Sequence, residues 1–342
     1  MNPALLIRLR PTTPWRIGPD TGARDQAVSI FHSDALYSAL CSSFEQLGLL
    51  EEWFNATAQP HTEPAVRFSS CFPWQRGHLY APPPAGLWPP PAANPTAASK
   101  VRWKGATLVP TSVIAGLVKG EQPSEEQWTV DGHSSCLIPG NSRSSTGPFR
   151  FVQRSSAAVD RVTGGQIEPH RVTCVQYAPA SGLWCAAQFS NPITYAVWAP
   201  KLQAAFRLLA DTGLGGLRSR GFGRFRNPDF QPGLLPELLF GSALPPAGNA
   251  YWLLSLFSPA DTDTVEWTAG DYLLTRRTGR VGASQGGGQQ KLASRMVAEG
   301  SVLLAGQPPL GAVRDVAPPG CPHPVYRSGY AVALPIPWPV TA

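Results

Sequence analysis

Positions 213–226 combine glycine, arginine and phenylalanine in close alternation. This segment, here called the glycine loop, reads GLGGLRSRGFGRFR and holds five glycines, four arginines, two phenylalanines and no acid. Glycine permits positive φ and close approach to the main chain, and successive backbone N–H groups can form an anion-binding concavity. Arginine offers forked donors to phosphate, and phenylalanine offers a face for stacking bases. The segment therefore predicts a loop that grips a nucleic-acid backbone.

Three other interpretations of a glycine-rich segment compete with this one. A phosphate-binding P-loop requires Lys followed by Ser or Thr after its last glycine, but Phe222 follows Gly221. A dinucleotide-binding fingerprint requires its glycines between a strand and a helix, whereas these follow a predicted helix, and Arg218 occupies the third glycine position. A flexible basic linker is the remaining alternative.

The distribution of charge favours a polyanionic partner. The chain has 342 residues and a formal net charge of +6. Three segments carry basic residues and no acid: 132–159, 212–228 and 272–298. Separate basic segments of this kind are expected where one surface holds a long anion.

The six cysteines form no C-x-x-C pair, so they predict free thiols and no metal site. Residues 4–7 are too short an apolar run for a signal peptide, and no stretch is long enough to span a membrane. We expect a soluble, cytoplasmic protein without cofactor or membrane contact.

Hydrophobic patterning predicts an alternation of strands and helices. Residues 4–10 and the pair 172–177 and 183–189 alternate as strands, the pair forming a hairpin. A helix is predicted from an N-cap at Ser33 to Gly48, and another begins at Pro200. Strands are expected at 251–257 and 330–338. The proline-rich segment 72–98 predicts coil or polyproline structure.

Several short motifs occur in a fixed order along the chain. They are FHSDAL at 31–36, FPW at 72–74, LYAP at 79–82, VDRVTG at 159–164, the glycine loop, EGSV at 299–302 and VYRSGY at 325–330. Taken together, this ordered set resembles the RAMP superfamily of CRISPR effector subunits. Within it, the set is similar to the branch that caps the 5′ handle of the CRISPR RNA in type III-A (Csm) complexes.

The resemblance implies an α+β fold of two ferredoxin-like (RRM-like) domains with long insertions, including a thumb-like hairpin and the glycine-rich loop. We expect an N-terminal domain over 1–228, a linker over 229–246 and a divergent C-terminal domain over 247–342. The implied function is non-catalytic binding of the handle. The implied protein partners are a Cas10-type large subunit and a backbone RAMP subunit, with target RNA reached indirectly. The segment 276–291 departs from the family pattern, because GGGQQ stands where a denser lysine cluster is expected.

The basic segments and the resemblance together predict a set of RNA-binding residues. They are His32, Ser33, Arg154, Arg161, His170, Arg171, Gly215, Gly216, Arg218, Ser219, Arg220, Gly221, Phe222, Gly223, Arg224, Arg276, Arg277, Arg280 and Lys291.

Some functional assignments stay open from the sequence. His32 is either a general acid–base or a residue of the helix-capping loop. Asp34 is either a cleaving acid or a first-turn residue that favours the helix dipole. The alternative functions are a metal-independent CRISPR RNA-processing endoribonuclease, or the equivalent capping subunit of a type III-B or III-D complex. In the endoribonuclease class the glycine-rich loop lies near the C-terminus, whereas here a long segment follows Arg226.

Overall fold

A computed structural model describes residues 2–19, 21–59, 62–91, 101–140, 146–159, 167–241, 248–282 and 288–338. The helices within these residues are α1 Ser33–Gln46, α2 Leu50–Thr57, α3 Thr111–Val118, α4 Pro192–Thr212 and α5 Leu235–Phe240. The strands are β1 Pro3–Leu9, β2 Val66–Phe68, β3 Phe72–Gln75, β4 His78–Ala81, β5 Val109–Pro110, β6 Trp128–Val130, β7 Leu137–Pro139, β8 Phe149–Val159, β9 Ile167–Tyr177, β10 Ser181–Phe189, β11 Asp229–Leu234, β12 Ala250–Leu253, β13 Leu274–Arg277, β14 Ser294–Val297, β15 Val302–Leu304, β16 Gly311–Asp315, β17 Tyr326–Tyr330 and β18 Ala333–Ile336.

The largest sheet runs in the order β11-β1-β10-β3-β4-β5, and β2 also pairs with β10. Its pairings are antiparallel. A smaller sheet, β15-β12-β18, and the hairpins β13–β14 and β16–β17 form much of the second half. The chain is thus a mixed α/β protein with several antiparallel sheets, as the sequence predicts at this coarser level.

The central strand β1 is buried on both faces, and its alternating side chains enter two different cores. Leu5 and Ile7 pack with α1 and α4, whereas Ala4 and Leu6 pack with α3, α5 and Trp252 of the smaller sheet. Because successive side chains of a strand point to opposite faces, this one strand connects both layers. The first core therefore holds α1 in place, and the second joins the two halves of the chain.

The structure corrects three local predictions. His32, not Ser33, is the N-cap of α1, and its side chain makes no capping hydrogen bond. Helix α4 begins at Pro192 behind an Asn191 capping box and continues through Pro200, where a start was predicted. The proline-rich segment 72–98, predicted as coil or polyproline structure, includes two buried strands, β3 and β4. Pro73 lies within β3, opposite Leu183 of β10.

Residues 229–240, which lie in the predicted linker, form β11 and α5. Strand β11 pairs with β1 over residues 229–234. Leu235 and Leu239 of α5 are buried in the second core. The division into two domains stays a prediction.

Two of the chemical predictions concern the whole described chain. All six cysteines are free thiols. Across the described ranges, no helix combines the length and apolar character needed to cross a lipid bilayer.

Candidate nucleic-acid interface

The glycine loop is fixed to the segment 10–16 by main-chain hydrogen bonds. The N–H of Gly216 donates to the carbonyl of Arg16 at 2.8 Å, and that of Gly223 donates to the carbonyl of Pro14 at 3.0 Å. The N–H of Thr12 donates to the carbonyl of Arg224 at 2.9 Å. These bonds argue against the alternative of a flexible linker, because the loop is tied to its neighbour along its length.

Packing within the protein requires glycine at several positions of the loop, among them Gly215 and Gly223. Gly223 has φ +82°, and a Cβ there would lie 2.0 Å from the carbonyl oxygen of Leu214. Gly215 has φ +85°, and its Cβ would lie 2.5 Å from the carbonyl oxygen of Arg16. A side chain at either position meets both an unfavourable φ and a backbone clash. Their first role is therefore to let two backbone segments meet.

The tip of the loop leaves three successive N–H groups without partners. Among the described residues, the N–H groups of Leu217, Arg218 and Ser219 make no hydrogen bond. Leu217 is left-handed at φ +60°, and a turn of 3₁₀ helix follows at Arg218–Arg220. Main-chain groups arranged in this way form the concavity that suits an anion oxygen. The predicted nest is thus limited to 217–219, since the other loop N–H groups, except that of Gly215, donate within the protein.

The side chains of the loop divide into exposed cations and buried rings. Arg218, Arg220 and Arg224 are exposed, and within the described chain none of their side chains makes a hydrogen bond or ion pair. Phe225 is only 4% exposed and packs on Trp15, with ring centroids 5.7 Å apart. Phe222 is half-buried. Phe225 therefore belongs to the core and cannot stack on a base.

A cleft of about 710 Å³ lies between the glycine loop, α1 and residues 277–280, 282 and 290–291. Small residues of α1 form one wall: Ala35, Ser38, Ala39 and Ser42. The cleft brings together five of the predicted RNA-binding residues from distant parts of the sequence: Gly215, Arg218, Arg277, Arg280 and Lys291.

The charge of the cleft is strongly positive. Its lining contains five cations and one acid: Arg218, Arg277, Arg280, Lys291, Arg327 and Asp34. The ammonium of Lys291 has no hydrogen-bond or ion-pair partner among the described residues. Burial lowers the pKa of Lys291, and the nearby Arg327 lowers it further, against the opposing charge of Asp34. An anion in the cleft would relieve this uncompensated charge.

The acid that lines the cleft, Asp34, is already paired with an arginine. Asp34 accepts hydrogen bonds from the Nε and Nη2 atoms of Arg277 at 3.1 and 2.8 Å, and Arg327 Nε lies 3.5 Å away. All three side chains are buried. Burial alone would raise the pKa of the Asp34 carboxyl, but the charge and hydrogen bonds of Arg277 lower it overall. We call these residues, with His32 and Glu299, the junction cluster, because they join α1 to the second half.

His32 belongs to this cluster through Glu299. His32 Nδ1 lies 2.8 Å from Glu299 Oε1, and the hydroxyl of Ser70 donates to the same oxygen. Burial lowers the pKa of His32, but the charge of Glu299 and their hydrogen bond raise it overall. Ser33 is buried, and its hydroxyl accepts the N–H of Leu256 at 3.1 Å. Neither His32 nor Ser33 lines the cleft.

The other predicted RNA-binding residues lie away from the cleft. Arg154, His170 and Arg171 lie on the β8–β9 hairpin, where Ser155 pairs with Arg171 and Ser156 with His170. Arg276 is exposed on β13, on the face opposite to the buried Arg277. Arg161 lies outside the described residues.

Sequence reasoning did not find Arg327 and Glu299 as partners of Asp34 and His32. Glu299 occurs in the motif EGSV and Arg327 in the motif VYRSGY, so the resemblance had already marked both segments as family motifs. Their pairing with α1 could not be derived, because it depends on how the two halves pack. In the described part of the chain, no group of three or more His, Cys, Asp or Glu side chains is placed to hold a metal ion.

Comparison with known proteins finds one family model and several similar solved structures. Residues 246–336 match the family model of the CRISPR Csm4 C-terminal domain. A chain of a Csm3–Csm4 subcomplex from the type III-A CRISPR–Cas interference complex aligns with a TM-score of 0.61 at 15% identity, covering 98% of this chain and 99% of that one. A chain of a Csm1–Csm4 cassette in complex with cA4 aligns with a TM-score of 0.58 at 17% identity, with the same coverage. No curated protein matches the sequence.

At these identities the structural matches establish the fold, over nearly the full length of both chains. The family model adds sequence-level support for the second half. The resemblance to the Csm4 branch of the RAMP superfamily, predicted from the ordered motifs, is confirmed.

Proposed function

We propose, from the confirmed resemblance to Csm4, that this type III CRISPR subunit binds the 5′ handle of the CRISPR RNA in its cleft without cleaving it. We further propose that it belongs to a type III-A complex. Its two halves would be ferredoxin-like domains over 1–228 and 247–342, with the intervening residues as a structured connection.

The observation that carries this proposal is the meeting of unpaired cations in one cleft. Arg218 comes from the glycine loop and Lys291 from the second half. Neither side chain has a hydrogen-bond or ion-pair partner in the described structure. The unpaired N–H groups of 217–219 belong to the same turn of the loop as Arg218. Single-stranded RNA is held by basic and main-chain donors along its backbone, so this donor set suits consecutive phosphates.

Exposed cations outside the cleft extend the proposed RNA path. Arg220 and Arg224 continue the positive surface along the glycine loop. Arg154, His170 and Arg171 would contact RNA along the β8–β9 hairpin. Arg161, which lies outside the described residues, is proposed from the resemblance alone. Arg276 would add an exposed cation on β13, whereas Arg277 would act by its charge while hydrogen-bonded to Asp34.

The proposed protein partners are taken from the proteins that the similar structures contain. One contains Csm1 with Csm4, and another contains Csm3 with Csm4. By analogy, this chain would bridge a Cas10-type large subunit and a backbone RAMP subunit.

The absence of catalysis is proposed from the state of the two candidate residues. His32 is bonded to a buried carboxylate, and Asp34 is bonded to Arg277. A general acid–base must reach the atom whose proton it transfers. Neither side chain is free to do so in this arrangement.

The test compares two triple variants in the assembled complex. Arg218, Arg220 and Arg224 are changed to alanine in one, and the exposed Arg102, Lys104 and Lys119 in the other. RNA affinity is measured over a range of salt concentrations, and the logarithm of the binding constant is plotted against the logarithm of the salt concentration. Each phosphate contact on a single strand contributes about 0.7 to the slope, so the loop variant should flatten it by roughly 2. The control variant removes the same charge and should leave the slope unchanged.

Three outcomes would overturn the proposal. Equal slopes in wild type and loop variant would show that the loop does not hold phosphates. Specific cleavage of repeat RNA that is lost in His32→Ala would favour the endoribonuclease alternative. Co-purification with type III-B or III-D subunits, identified by mass spectrometry, would reassign the subtype.

A further inference from the structure

A second cavity, of about 250 Å³, lies where the large sheet meets the small sheet, away from the cleft. From the large sheet it is lined by Arg67 and Gln188, which face each other across β2 and β10. From the small sheet it is lined by Tyr251 and Pro335, which are opposite each other on β12 and β18. Pro308 and Pro309 complete an apolar rim, and Asn2 adds an amide.

Arg67 is a buried cation with unused hydrogen-bonding capacity. Its side chain is 10% exposed, and its Nε atom is buried without a hydrogen-bond partner. Its one ion pair within the described chain is with Glu63, whose carboxylate lies 3.6 Å from Nη2 on a side chain 49% exposed. Burial lowers the pKa of Arg67, and the charge of Glu63 offsets this only in part. A buried donor without a partner is destabilising, so the site is incomplete as it stands.

The other polar groups of the cavity are also available. In the described structure the side-chain amides of Asn2 and Gln188 and the hydroxyl of Tyr251 make no hydrogen bond. Four kinds of side chain, from the two sheets and from Asn2 just before β1, therefore present donors to one small space. Convergent polar groups on an otherwise apolar pocket are typical of a ligand site.

We propose that this cavity binds a single carboxylate group, received by Arg67 and oriented by Gln188, Asn2 and Tyr251. A planar carboxylate matches the fork of one guanidinium and neutralises its one charge. A phosphate dianion would bring a second negative charge into a space walled by proline and alanine, where the described residues supply no second cation. Both a free carboxylate and one borne by an acidic side chain fit this chemistry, and the probes below distinguish them. This site is independent of the RNA-binding proposal.

The experiment measures ligand binding to the full chain by NMR at constant ionic strength. The probes are acetate, N-acetyl-glutamate methylamide, its neutral glutamine analogue and inorganic phosphate. We expect saturable binding of the carboxylates in the millimolar range and none of the glutamine analogue. Tighter binding of the glutamate compound than of acetate would identify an acidic side chain as the natural ligand, and equal binding would identify a free carboxylate.

Two variants test the assignment of Arg67. Arg67→Gln should weaken carboxylate binding by about tenfold or more, because a hydrogen bond to a charged group is removed, whereas the control Arg102→Gln should not. Tyr251→Phe removes one neutral hydrogen bond and should weaken binding about fivefold, which keeps the test decisive should Arg67→Gln fail to fold. No saturable binding, affinity unaffected by both cavity variants, or tighter binding of phosphate than of carboxylate would each overturn the proposal.

Discussion

The glycine loop and the junction cluster use the same side chain, arginine, in opposite ways. In the loop, the side chains of Arg218 and Arg220 are exposed and have no hydrogen-bond or ion-pair partner in the described structure. In the junction cluster, Arg277 and Arg327 are buried and bonded, to Asp34 and to carbonyl groups such as that of Thr278. The first pair is available to a ligand, whereas the second holds the protein together.

The difference follows from the free energy of desolvation. A guanidinium removed from water is stable only where acceptors replace the lost hydration, and losing one partner of a buried pair is strongly destabilising. An exposed guanidinium keeps its hydration and contributes little to stability. Substitutions of these charged side chains should therefore lower stability in the cluster and RNA binding in the loop, and the predictions below test that separation.

The largest expected effect is the loss of stability in Asp34→Asn. The change leaves Arg277 and Arg327 buried without their carboxylate, so the free energy of unfolding should fall by about 3–5 kcal/mol. Chemical denaturation of the purified chain measures it. Asp211→Asn, at an exposed position on α4, is the matched control and should change little. A loss below about 1 kcal/mol would mean that the cluster is not a structural unit.

The next effect separates two glycines within the loop. Gly221 and Gly223 have φ of +81° and +82°, but only at Gly223 does a Cβ clash, with the Leu214 carbonyl oxygen. Gly221→Ala should lower the free energy of unfolding by about 1–2 kcal/mol through backbone strain alone. Gly223→Ala should lower it by more, because the clash adds to the same strain. Equal losses would contradict the packed loop described here.

The two regions were not equally predictable from sequence. The glycine loop is local, so its composition predicted a basic loop for a nucleic-acid backbone, and Arg218, Arg220 and Arg224 are exposed on it. Their binding of RNA stays a prediction. The junction cluster joins residues far apart in the chain, and no periodicity indicates that Asp34 meets Arg277. Phe225 shows the same limit inside the loop, because its burial depends on Trp15. Sequence patterning likewise predicted β1 and α1, but missed that α4 continues through Pro200.

A smaller effect is expected from pH, through His32 and its partner. The pKa of His32 is raised above its ordinary value of 6.5, so its contribution to stability is fully present below pH 6.5 and is lost as the pH rises through the raised value. The pKa values of Glu299 and Asp34 are lowered, so their contributions are present above their ordinary values, 4.5 and 3.8, and are lost as the pH falls.

The junction should therefore be most stable between about pH 4.5 and 6.5. From pH 6 to pH 8 we expect Tm to fall, because the contribution of His32 is lost as the pH rises through its raised pKa. Calorimetry of wild type and His32→Gln over this range checks it, because the variant should lose this part of the pH dependence. An unchanged slope in the variant would show that another group titrates.

The smallest effect on stability is expected at Lys291, which lies between the two regions. It is partly buried beside Arg327, as in the junction cluster, but its ammonium lacks a partner in the described structure, as in the loop. Lys291→Met keeps most of the aliphatic stem and removes an uncompensated charge, so the free energy of unfolding should stay within about 0.5 kcal/mol or rise slightly.

RNA affinity of the assembled complex should nevertheless fall, with a salt slope flatter by about 0.7 because one phosphate is no longer neutralised. Denaturation and filter binding on the same preparation separate the two quantities. A clear loss of stability with unchanged binding would place Lys291 with the structural arginines, and the cleft would then lack one of the two unpaired cations, Arg218 and Lys291, on which the proposed RNA site depends.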